Sequence, residues 1–286
     1  MAPNPITREE LHLFHQIDRE VLCLLIFKLH RELSESLLVM ALWLWLESIG
    51  YPNIIRRIMS LPNNVADALV NEAAVCLHCL ETNDDPVIPN GGGLPVTQRV
   101  MERDVSLQVF NEKRYTAIAG IKSVLKNIFS RIFTDVVEII LKSTKINKAS
   151  TSRASTSNKR LIVPGFPHPL FGNFDLQPIE NVDLFDERIW DGKLPFDDVA
   201  DDDKSMFLTF SRGFPVSENE VRQLFTRAYG DCVLSLTMGT VDENDQPLFA
   251  KLVLKTVETV DQVLNGKRVA KLKINGKHIW ARKFHP

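Results

Sequence analysis

Ten consecutive apolar residues, LLVMALWLWL at 37–46, set the hardest constraint on how this chain folds. Trp43 and Trp45 stand two apart, so on a helix they cannot share one face. A helix that is apolar on several sides has to be surrounded by others. The stretch therefore predicts a helical bundle with this segment at its centre. It also falls short of the about 20 residues that a helix needs to span a bilayer, so no membrane partner is expected.

The surrounding sequence supplies the other helices. Thr7 to Glu10 reads TREE, a capping box, and Ile6 and Leu11 are placed to staple the helix entry. Apolar residues then recur with a helical period at Leu11, Phe14, Ile17, Val21, Leu24 and Leu25. The central helix is predicted to begin after Ser34 and to end near Gly50, with Pro52 just beyond. Further helices are predicted over 54–59, over 64–80 and, after a Pro/Gly-rich loop at 84–95, over 96–141. Residues 1–141 thus form an expected helical domain, a candidate for a protein partner or self-association through 7–141.

At Lys142 the composition changes. KSTKINKASTSRASTSNKR, 142–160, has six basic residues, no acid and little to bury. The expectation over 142–203 is a flexible linker, basic at first and acidic at DDVADDD (197–203). Within it, LIVPGFPHPLFGNF (161–174) mixes Pro, Gly and aromatics, and is expected to pack on a domain or to present a docking motif. A chain of 286 residues is long enough for two cores.

Several function classes lack their signatures. The net charge of −2 excludes a basic footprint over the whole chain, so any nucleic-acid surface has to be local. Four cysteines are too few for a disulfide framework at this length, which points to a reducing compartment. MAPNPITREE has neither the basic region nor the apolar block of a signal peptide. Cys76-Leu77-His78-Cys79 has no second cysteine pair, and its two cysteines share one helical side, where they serve as small buried hydrophobes. Gly91-Gly92-Gly93 fits neither a phosphate-binding loop nor a dinucleotide fingerprint. No enzyme, metal or cofactor is expected.

From Ser205 onward short strands alternate with helices. MFLTF (206–210) alternates between two faces, and Ser217 with Glu220 caps a helix carrying Val221, Leu224, Phe225 and Ala228. DCVLSLTM (231–238) and 247–255 read as strands around an acidic turn at 239–246. A helix over 257–264, a turn at Asn275–Gly276 and a closing strand complete the order β-α-β-β-α-β. The predicted fold class is α+β: an all-helical N-terminal domain followed by a ferredoxin-like domain over 204–286.

This C-terminal region resembles the RNA-recognition motif (RRM) family. MFLTFS (206–211) is similar to the RNP2 strand, PLFAKLVL (247–254) to RNP1, and LNGKRV (264–269) to the Asn-Gly that often follows the second RRM helix. Against the RNP1 pattern, Phe249 keeps the first aromatic and Ala250 matches, whereas Pro247, Leu248, Lys251 and Leu254 depart from it. The resemblance implies an open sheet face that binds single-stranded RNA, with Phe207 and Phe249 as stacking rings and Lys251 where the third ring would stand.

Strand alternation adds Thr209 to that face. In the last strand it sends Ile279 and Ala281 inward and His278, Trp280 and Arg282 outward. Trp280 becomes a further stacking platform, with Arg282 and Lys283 as phosphate contacts beside it. Lys267, Arg268, Lys271, Lys273, Lys277, Arg282 and Lys283 form a run without an acid. The whole chain resembles plant RRM-containing proteins of unassigned role, through LWLWLE (42–47) joined to this tail. The expected location is the nucleus or cytoplasm, with the nucleus preferred. The alternative is a protein-interaction module that uses the same sheet and the helical domain without RNA.

Overall fold

The computed structural model describes residues 7–82, 93–146, 162–176, 199–239 and 246–285. They divide into two compact units. One comprises residues 7–81, 93–106, 120–146 and 162–176; the other comprises 82, 107–119, 199–239 and 246–285.

In the first unit Thr7 caps α1 (Arg8–Phe14) through the reciprocal bonds of a capping box with Glu10. The helix breaks at His15 before α2 (Gln16–Cys23), which runs into a π-turn at Leu24–Lys28. The break alters the expected phase: Leu11, Val21 and Leu25 are buried, but Phe14 and Ile17 are exposed. Next, α3 (Leu33–Ser48) carries the ten-residue apolar run, and Trp43 and Trp45 are only 2% and 0% exposed. Its all-round burial follows from the absence of any polar side.

Around it lie α4 (Ile54–Ile58), α5 (Asn63–Glu81) and α6 (Pro95–Met101). After α7 (Leu107–Glu112) and α8 (Arg114–Val124), a second π-turn at Leu125–Phe129 leads to α9 (Ser130–Ile132) and α10 (Thr134–Ile146). Gly120 on α8 faces Trp45 so closely that an added Cβ would meet Trp45 Cδ1 at 2.2 Å. Only a residue without a side chain fits there.

The aromatic segment at 162–176 packs with this unit: Val163, Phe166, Phe171 and Phe174 are buried, and His168 Nε2 lies 3.3 Å from Glu81. Only parts of the expected linker, 142–203, fall within the described residues. Helix α10 extends to Ile146, past its expected end at 141, and residues 147–161 and 177–198 lie outside the described residues.

The second unit is built on a five-stranded antiparallel sheet, so the chain as a whole is α+β. Its strands are β1 (Ser205–Phe210), β2 (Val233–Met238), β3 (Phe249–Leu254), β4 (Val269–Ile274) and β5 (Lys277–Lys283), in the order β2-β3-β1-β5-β4. Two helices, α11 (Glu218–Tyr229) and α12 (Val257–Leu264), join the inward residues of the strands in one core with Val221, Phe225, Val260 and Leu264. The strand β4 was not expected. It extends the closing strand into a hairpin, whose turn residues Asn275 and Gly276 both have positive φ (47° and 80°), as a type I′ turn requires.

Residues 107–119, expected within the helical domain, group instead with the sheet. The link is Asp261 on α12. Its carboxylate accepts hydrogen bonds from the backbone N–H of Tyr115 (2.9 Å) and Thr116 (2.9 Å), and from Thr116 Oγ1 (2.5 Å). Those are the second and third residues of α8, so Asp261 caps that helix from far along the chain. Burial raises its pKa to about 6, against the opposing pull of those hydrogen bonds.

Candidate nucleic-acid interface

Strand alternation divides the sheet into two faces. Met206, Leu208, Ala250, Leu252, Ile279 and Ala281 point into the core and are fully buried. Phe207, Thr209, Phe249, Lys251, His278, Trp280 and Arg282 stand on the opposite face, as their spacing predicts. Register arranges them in two rows across the strands. One row runs Thr237, Lys251, Phe207, Arg282, Val269; the next runs Phe249, Thr209, Trp280, Lys271.

The rings occupy two separate places. Phe207 and Phe249 stack on each other, with centroids 5.5 Å apart and planes 19° apart. Phe249 remains 43% exposed and rests against Gly239, where an added Cβ would meet the ring at 2.9 Å. Trp280 is separated from Phe249 by Thr209 on the strand between them. Two strand spacings amount to about 10 Å, so one base cannot stack on both rings at once.

The cations are also placed differently. Lys251 Nζ lies 2.9 Å from Asp202 Oδ1 and 4.0 Å from the centroid of Phe284. Asp202 belongs to a 3-10 turn, Asp201–Lys204, that leads into β1. Among the described residues, Asp202 is thus an acid that meets this face. The acidic residues Asp242, Glu243 and Asp245 of the 239–246 turn lie outside the described residues. The guanidinium of Arg282 sits 4.8 Å from the Phe207 centroid, and Lys271 Nζ sits 5.7 Å from that of Trp280.

Lys283 requires a correction. It is 7% exposed, and its ammonium donates to the carbonyl oxygens of Asp202, Ser205 and Phe284. It follows Ile279 and Ala281 in the inward parity of β5, so it anchors backbone on the core side and is no phosphate contact on the outer face. Lys277 is engaged as well. Its Nζ bonds both carboxylate oxygens of Glu220 (2.8 and 2.9 Å) and the carbonyl of Pro215 (2.5 Å). Lys277, the Ser217 backbone N–H and Asn275 together hold the Glu220 carboxyl down at about 2.

Three participants were missed from the sequence: Asp202, Phe284 and the strand position of Lys271. The first lies in the turn before β1 and the second just after β5, where no periodicity marks a partner. The third was legible as the alternation of VAKLKI, in which Ala270, Leu272 and Ile274 turn to the core.

Elsewhere, Cys76 and Cys79 are buried while His78 between them is exposed, so the three donors do not converge. Burial pushes the Cys76 thiol well above its ordinary pKa, away from the thiolate a metal needs. Among the described residues no group of His, Cys, Asp or Glu is arranged to hold a metal ion. No described helix is long and apolar enough to cross a membrane. The chain matches no family model, no curated protein and no solved structure.

Proposed function

We propose that this protein is an RNA-binding adaptor that takes single-stranded RNA on the outer face of a C-terminal, RRM-like sheet. One observation carries the reading: Phe207, Phe249 and Trp280 share the face opposite the helices, in register with Arg282 and Lys271. Aromatic faces stack any base, and cations between them meet the backbone. The strand order supports a ferredoxin-like core, with β1 and β3 inside and β4 as an added edge strand. The helical unit is the adaptor's protein-binding part in this reading. Its exposed Leu13, Phe14, Phe27 and Met59 support that role, and the last two line a groove of about 480 Å³.

The test is titration of the full chain with short single-stranded RNAs at several salt concentrations. The reading expects binding that weakens steeply with salt and falls when the outward rings are replaced by alanine. Binding that ignores salt and survives loss of all three rings would sink it. The Asp202–Lys251 ion pair favours a second reading, a sheet that docks protein, because it neutralises a cation that RNA would use. In that case partners captured from a lysate survive nuclease treatment.

A further inference from the structure

The two ends of the outer face are not equivalent, and the difference locates a nucleotide site. Phe207 has Arg282 at 4.8 Å and Phe249 at 5.5 Å, and Trp280 likewise has Lys271 at 5.7 Å and His278 at 6.1 Å; the difference is that Lys251 is held by Asp202. On the β4–β5 hairpin, Trp280 projects from a strand whose neighbours Ile279 and Ala281 are fully buried. Lys271 pairs with Trp280 across the hairpin, and Lys273 pairs with His278. No Asp or Glu occurs between Lys267 and Lys283. Among the described residues neither Lys271 nor Lys273 has a carboxylate partner.

We infer that the β4–β5 hairpin is a nucleotide site in its own right: Trp280 stacks one base, while Lys271 and Lys273 hold the phosphate beside it. This rests on the reading of the face as a surface for single-stranded RNA. The two lysines lie two residues apart on one face of a strand, so their Cβ atoms are about 7 Å apart, and both reach backbone next to the ring. The hairpin is held before any ligand arrives. Its turn is a type I′, and there Glu220 takes hydrogen bonds from Asn275 (3.0 Å) and Lys277. A site fixed in advance loses little entropy on binding. A ring flanked by lysines that no described carboxylate holds then binds a nucleotide more tightly than a ring whose neighbouring lysine is held by Asp202.

Lysines on an edge strand also guard against edge-to-edge pairing, and the experiment separates the two roles. Full-length protein is titrated with a fluorescein-labelled pool of short single-stranded RNAs, read by anisotropy across a salt series. Trp280→Ala is expected to weaken binding about 5- to 150-fold, the range for loss of one stacking ring. Phe249→Ala is expected to weaken it less. Lys271→Ala with Lys273→Ala is expected to lower the slope of log K against log salt by about 0.7, because one phosphate charge is no longer neutralised. Both lysines are exposed, so that variant stays folded and informative if Trp280→Ala does not.

Wild-type binding that survives both hairpin variants but is lost with Phe207→Ala and Phe249→Ala overturns the inference and leaves the RNA reading standing. A lysine variant that self-associates yet keeps the wild-type salt slope assigns the lysines to edge protection and also overturns it. If wild type binds no RNA in the pool, both fall.

Discussion

On the β3–β1 side of the outer face, Lys251 meets Asp202, and Phe207 meets both Phe249 and Arg282. On the β5–β4 side, Trp280 stands among Lys271, Lys273 and His278 with no carboxylate among them. Both sides use the same residue types, rings and cations on alternating strand positions. Ring and cation contacts occur on both, and among the described residues they differ in that a carboxylate holds the lysine on the first side alone. Residue identity shows what a face can offer, and only the partners show what remains to be offered.

The largest change is expected where both sides are broken together, from the layer beneath them. Asp261→Ala leaves the Tyr115 and Thr116 N–H groups and the Thr116 hydroxyl without their acceptor. Loss of a cap plus buried unsatisfied donors is expected to cost about 2–4 kcal/mol, read by denaturant unfolding. The pH dependence has a definite sign. The folded pKa of about 6 lies above the unfolded value of 3.8, so the protonated acid favours the folded state. That contribution is full below about pH 4 and is lost as pH rises through 6. Asp261→Asn should flatten stability between those limits, and an unchanged slope there would remove Asp261 as its source.

Next in size is a charge reversal confined to one side. Lys271→Glu with Lys273→Glu is expected to reduce RNA affinity by at least about tenfold at low salt, with the difference shrinking as salt rises. A smaller change should bring the two sides closer together. Asp202→Asn releases Lys251 from its ion pair, and is expected to strengthen RNA binding a few-fold, by about 0.5–1 kcal/mol, and to steepen the salt slope. Weaker binding instead would mean that Asp202 positions the lysine and does not compete for it.

The smallest change concerns the turn end of the hairpin. Glu220→Gln removes the ion pair to Lys277, and is expected to lower the thermal midpoint slightly while loosening the β5–β4 side alone. Here the folded pKa is depressed, to about 2 from 4.5, so the contribution is present above pH 4.5 and disappears as pH falls through 2. Glu220 and Asp261 both bond to helix N-termini, yet their pKa values move in opposite directions. Lys277, with two further donors, dominates at one, and burial dominates at the other.

Much of the fold was legible because its causes are local. Thr7 with Glu10, and Ser217 with Glu220, form the capping boxes that their spacing announces. The boundaries of α12, Val257–Leu264, match the predicted helix. The outward set Phe207, Phe249, Trp280 and Arg282 follows from a period of two. The β4 strand escaped because Ala and Lys are weak strand formers, although VAKLKI alternates. Lys283 reads as a phosphate contact by its charge, while its parity in β5 points inward.

By itself the sequence determined the central helix at 37–46, the caps, the hairpin turn at Asn275–Gly276 and the split of each strand into two faces. These depend on neighbours within a few residues, where sterics and hydrogen bonding leave few choices. The tertiary structure decided that Asp202 occupies Lys251, that Lys283 is an internal anchor, and that Asp261 caps a helix 145 residues earlier in the chain. Such partnerships form between side chains that only the folded backbone brings within reach, and no periodicity in the sequence records them.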